Sequence, residues 1–134
     1  MPLILVGAFA ALLASGKVDL FCRQTAAHSV FVDVRANGDD GLTQRLKNAI
    51  ERAFNACSGF STRYSAATDL AVRITSNVTW KRIGNRGEAL FEVEYLAGEH
   101  RQKSIKGFCW EDRLGRCAQQ VLQATPSTWL GPRE

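Results

Sequence analysis

Two stretches of alternating apolar and polar residues, DLAVRITSNVTW (69–80) and EALFEVEYLA (88–97), flank the segment KRIGNRG. Successive side chains of a strand point to opposite faces, so a period of two predicts strands with one buried and one solvated face. In the first stretch Leu70, Val72, Ile74, Val78 and Trp80 share one parity, against Arg73, Thr75, Asn77 and Thr79. In the second, Ala89, Phe91, Val93 and Tyr95 take the inner parity and Glu92 and Glu94 the outer one. The connection carries two glycines and an asparagine, which reads as a hairpin and makes the two strands antiparallel. A sheet with one apolar face needs a second layer to cover that face.

The rest of the chain supplies that layer. HSVFVDVRA (28–36) sets Val30, Val32 and Val34 against Ser29, Phe31, Asp33 and Arg35, again as a strand. NGDDG then reads as a turn, with Asp40 placed to cap a helix. From Leu42 to Cys57 the residues Leu42, Leu46, Ala49, Ile50, Ala53, Phe54 and Cys57 recur at helical spacing, and Ser58-Gly59 ends the run. After a tight turn at Gly98, HRQKSIKGFCW (100–110) is a more polar strand, suited to a sheet edge. A second helix starts near Glu111-Asp112 and reaches about Ala124, with Leu114, Cys117, Ala118, Val121 and Leu122 on one side and Pro126 beyond its end. The expected fold is α+β: a two-layer sandwich of order β-α-β-β-β-α, its mostly antiparallel sheet carrying two helices on one face. A chain of 134 residues suits one domain. Residues 17–125 are assigned to it and 126–134 to a C-terminal tail.

Residues 1–16, MPLILVGAFAALLASG, carry no charged side chain. The run is shorter than the roughly 20 residues of a comfortable membrane span and reads as a secretory signal peptide. Ala14 and Gly16 place cleavage before Lys17, which predicts an exported chain, periplasmic or secreted, with no stable membrane span after cleavage. An uncleaved N-terminal anchor and a buried first element are the alternatives. Four cysteines follow: Cys22, Cys57, Cys109 and Cys117. An even number in an exported domain predicts two disulfides. The first helix runs back from the end of the first strand, so Cys57 returns to the strand's start, near Cys22. Cys109 shares the inner parity of Ile105 and Gly107, and Cys117 lies on the apolar side of the second helix, so a chain reversal at 111–112 brings these two into bridging range. The Cys109–Cys117 spacing is too wide for a zinc knuckle, and no C-x-x-C redox motif occurs. No metal and no cofactor is assigned.

Neither G-x-S-x-G, H-E-x-x-H, a phosphate-binding loop nor a dinucleotide fingerprint is present. His28 opens a strand and His100 sits in a turn, neither with a catalytic partner nearby in sequence. Asp33, Asp39 and Asp40 resemble a cation cluster, but Arg35 stands where a ligand would be needed. Asn77-Val78-Thr79 matches an N-glycosylation sequon inside an expected strand. No catalytic residue is assigned.

The more suggestive surface is basic. Lys and Arg number 17 against 13 Asp and Glu, a net charge of +4 and a mild bias toward anionic partners. Arg101, Lys103 and Lys106 accompany the outward aromatics Phe108 and Trp110 as candidate partner-binding residues. Aromatics among cations can stack bases and neutralise phosphates, but export points instead to a protein or an anionic envelope component. A charged edge also discourages edge-to-edge aggregation. The function expected is a non-catalytic binding or assembly module of the cell envelope or periplasm. The alternatives are a secreted inhibitor or immunity-type protein, and a small hydrolase whose site gathers residues distant in sequence.

Overall fold

A computed structural model of the chain describes residues 30–62 and 68–126. The expected signal peptide, Cys22, His28 and the tail from residue 127 lie outside the described residues. The elements are β1 (Val30–Ala36), α1 (Gly41–Asn55), β2 (Phe60–Ser61), β3 (Leu70–Ile74), β4 (Thr79–Ile83), β5 (Arg86–Ala97), β6 (His100–Trp110), a 3-10 turn (Glu111–Arg113) and α2 (Leu114–Gln123). This is the α+β fold expected, with both helices against one face of a mostly antiparallel sheet. The sheet has 6 strands in the order β2-β1-β3-β5-β4, with β6 on the other side of β5. β1 pairs in parallel with both β2 and β3, and the remaining pairs are antiparallel.

Stretch 69–80 is two strands rather than one. Ile74 pairs with Val93 and Thr79 with Leu90, so residues 75–78 span what residues 91–92 span on β5. Two extra residues leave the parity unchanged, so Val78 stays buried. Its backbone N–H donates to Thr43 Oγ1 at 2.8 Å, which ties the loop to the first turn of α1. Asn77 therefore sits in an exposed loop and not within a strand. Trp80 keeps the inner parity but is 50% exposed. Its indole lies against Gly87, where an added Cβ would come within 2.6 Å of Trp80 Cε2.

The helix starts as its cap residue dictates. Asp40 accepts from Thr43 N at 3.4 Å and from the Thr43 hydroxyl. The hydroxyl contact holds the Asp40 carboxyl below its ordinary value. Asp33 pairs with Arg35 at 2.6 Å, so the acidic residues of this region serve as turn, cap and ion pair. The core lies between sheet and helices: Val32, Val72, Ile74, Val93 and Tyr95 from the strands meet Leu46, Ile50, Phe54, Val121 and Leu122. The Tyr95 hydroxyl donates to the Val121 carbonyl, and burial pushes its phenol well above its usual range. Two two-residue turns bound β5, with Gly84 (φ 61°) and Gly98 (φ 62°) each in first place, the position that a type II′ hairpin reserves for glycine. Among the described residues, no helix is long and apolar enough to cross a membrane.

Candidate functional site

β6 pairs with β5 along its length and has no strand on its other side among the described residues. Residues 93 and 95 of β5 point to the helices, so their partners on β6 do too. Lys103 lies opposite Tyr95, and its Nζ donates to the Ala124 carbonyl at 3.0 Å, where a cation also favours the helix dipole. Lys106, Phe108 and Trp110 lie opposite Glu92, Leu90 and Glu88, on the face away from the helices. The register slips between Tyr95 and Leu96, after which Arg101 faces Leu96. The five candidate contact residues therefore do not form one face: Lys103 is occupied on the helix side, Arg101 stands at the far end, and the last three sit together. Phe108 is 60% exposed.

The turn after β6 is held by charge. The Arg86 guanidinium lies 4.2 Å over the Trp110 ring and donates to Asp112 Oδ1 at 2.9 Å. That hydrogen bond keeps the Asp112 carboxyl below its ordinary value. Glu111 accepts from Arg45 of α1 at 3.2 Å and from Trp80 Nε1 at 2.8 Å. Neither acidic side chain caps α2; both tie strands and α1 to the turn. A Cys109–Cys117 disulfide, Cα atoms 5.6 Å apart, fixes α2 to β6. Cys57 is also disulfide-bonded, and its expected partner Cys22 is outside the described residues.

Gly107 leaves room on β6 for both neighbours, since a Cβ there would collide with Gln120 Oε1 of α2 and fall within 2.6 Å of Phe91 Cζ of β5. Gln120 Nε2 then reaches the free edge and donates to the Phe108 carbonyl at 2.9 Å. A groove of about 530 Å³ follows, lined by Arg86, Glu88, Phe108, Trp110, Arg113, Arg116 and Gln120. A second, of about 610 Å³, runs on along α2 past Gln119 and Gln123 and shares Arg113, Arg116 and Gln120 with the first. His100 is exposed at the hairpin tip and lines neither groove. Sequence reasoning placed Arg86 among the basic residues of the neighbouring hairpin but missed Arg113, Arg116 and the glutamines. The available signal was the spacing of Arg116, Gln119, Gln120 and Gln123 at i, i+3, i+4 and i+7, a polar stripe on one helix side.

No family model matches the chain, and no curated protein matches it. Among solved structures, a PelC dodecamer from Paraburkholderia phytofirmans is similar at TM-score 0.50 and 9% identity, over 78% of this chain and 89% of that one. Protein XCC0632 from Xanthomonas campestris aligns at TM-score 0.40 and 13% identity, over 72% of this chain and 80% of its own. At these identities the PelC likeness is one of fold.

Proposed function

We propose that the chain is a small exported, non-catalytic binding and assembly module of the cell envelope, with copies of itself as its first partner. The observation that carries the reading is β6: an 11-residue strand with no strand on its outer side among the described residues, exposed cations and the exposed Phe108. Such an edge accepts an added strand or a side-chain contact unless something blunts it. Two features support export. The Cys109–Cys117 bridge persists in oxidising compartments, and the apolar run 1–16 has the character of a signal peptide. The PelC chain of similar fold is a dodecamer, which supports a multi-copy arrangement of this fold. Light scattering coupled to size exclusion, on full chain purified from an exporting host, tests the reading. A mass of several chains is expected, reduced to one by Lys106→Glu/Phe108→Asp. A strict monomer at the highest soluble concentration overturns the assembly reading, and four free thiols in the purified chain overturn export.

A further inference from the structure

The grooves beside β6 hold a mixture of groups that a bare contact edge does not need. Arg86 is neutralised by Asp112. Arg113 and Arg116 are exposed and have no salt bridge among the described residues. Beside these two cations stand the open ring of Phe108, the Trp110 indole and a carboxylate, Glu88. Beyond them come three amides, Gln119, Gln120 and Gln123. Gln119 Oε1 is buried and has no hydrogen-bond donor among the described residues.

Each of these groups restricts the ligand. Two exposed guanidiniums outside the salt bridges of the described residues select carboxylates or related oxyanions, and take them bidentately. Amides and a carboxylate offer acceptors as well as donors, so the ligand must itself donate hydrogen bonds. A polyphosphate backbone has no such donors. Exposed aromatic rings provide flat apolar faces for a ligand that is otherwise polar. The shared lining makes the site elongated, which suits a chain and not a single small molecule.

We propose that the continuous groove over the β6 edge and along α2 binds an acidic oligosaccharide. Its carboxylates sit on Arg113 and Arg116, one sugar face lies on Phe108, and its hydroxyls bond Glu88 and the three glutamines. The proposal deepens the reading of this chain as a binding module and rests on it, but it does not require self-assembly.

The test is an NMR titration of the isotope-labelled full chain with hyaluronan hexasaccharide, which alternates charged and neutral sugars. Saturable shifts concentrated in residues 108–123 are expected, with an affinity of about 1 mM or tighter. Neutral maltohexaose, and a capped peptide of alternating Glu and Ala with the same number of carboxylates, are expected to bind at least roughly tenfold more weakly, because each lacks one half of the recognition. Arg113→Gln/Arg116→Gln and, separately, Phe108→Ala are each expected to lose about tenfold, while Arg101→Gln at the far end of β6 binds as the parent. All four positions are exposed, so an unchanged spectrum outside the groove reports an intact fold. Absence of saturable shifts, equal binding of the peptide, or parent-like binding by the double arginine variant overturns the proposal. Light scattering on the same samples reads assembly separately, so a monomer that binds the saccharide rejects only the self-assembly reading.

Discussion

The contribution of the Cys109–Cys117 bridge can be isolated without removing either of its own sulfur atoms. Reduction of the parent chain would also open the disulfide at Cys57, so the measurement belongs in a Cys22→Ala/Cys57→Ala background. There, reductant breaks one bond and leaves both thiols in place. Cys117 is fully buried and Cys109 nearly so, and core packing changes little. What changes is the unfolded chain, which loses a closed loop of sequence separation 8. The loop-closure relation gives about 2.5 kcal/mol for a loop of that size at room temperature. With a urea slope of roughly 1–2 kcal/mol/M for a domain of this size, the midpoint falls by about 1.2–2.5 M on reduction. Urea unfolding with and without a phosphine reductant, followed by tryptophan fluorescence, provides the comparison. A difference below about 1 kcal/mol would show that the unfolded segment is already confined, and one above about 4 kcal/mol that the bridge holds native packing; either refutes the loop-entropy account.

Three further perturbations follow from the contacts around the helices. Thr43→Val leaves the buried Val78 N–H without its acceptor and is expected to cost about 1–3 kcal/mol in urea unfolding, while Thr43→Ser keeps most of the stability. Gly107→Ala places a methyl within 2.6 Å of Phe91 Cζ and is expected to cost about 1–3 kcal/mol, with displaced Phe91 ring resonances as its signature. The Asp40 and Asp112 carboxyls are held below their ordinary value of 3.8, so their folded values lie below their unfolded ones. Their stabilisation is complete above the unfolded value and is lost as pH falls through the folded one. The urea midpoint is therefore expected to fall below about pH 4, with a shallower fall in Asp40→Asn/Asp112→Asn.

Much of the fold is legible because periodicity reports which side of an element is buried. Val30, Val32 and Val34 alternate as they must, and Leu46, Ile50 and Phe54 repeat as a helix face must. Pairing partners leave no such trace. The parallel registry of β1 with β3 depends on residues 38 apart, as Val32 and Leu70 are, and each strand alternates equally well with any neighbour. The break between β3 and β4 is hidden for a different reason: an insertion of two residues preserves a period of two. Lys103 shares parity with Ile105 and Gly107, so its position on the helix side could be read from the sequence. Grouping it with Arg101 and Lys106 by charge obscured that. The groove was out of reach, because it is made where Gln120 crosses the β6 edge and brings Arg116 beside Phe108, a proximity set by the tertiary turn at 111–113.

The sheet order also implies an order of assembly. β4, β5 and β6 follow one another through two-residue turns, and α2 comes directly after, so residues 79–123 close mainly short loops. β1 must wait for a distant partner, since its parallel pairing with β3 crosses the whole of α1, and β3 itself leans on β5. Loop-closure cost therefore favours the C-terminal half as the early-forming unit. Pulsed hydrogen exchange during refolding is expected to protect Val93 and Tyr95 before Val32 and Val34. Synthesis runs the other way, from the N-terminus. The half of the chain that leaves the ribosome first is thus the half expected to complete its folding last. Under the export proposed above, such a delay would favour passage of the unfolded chain across a membrane.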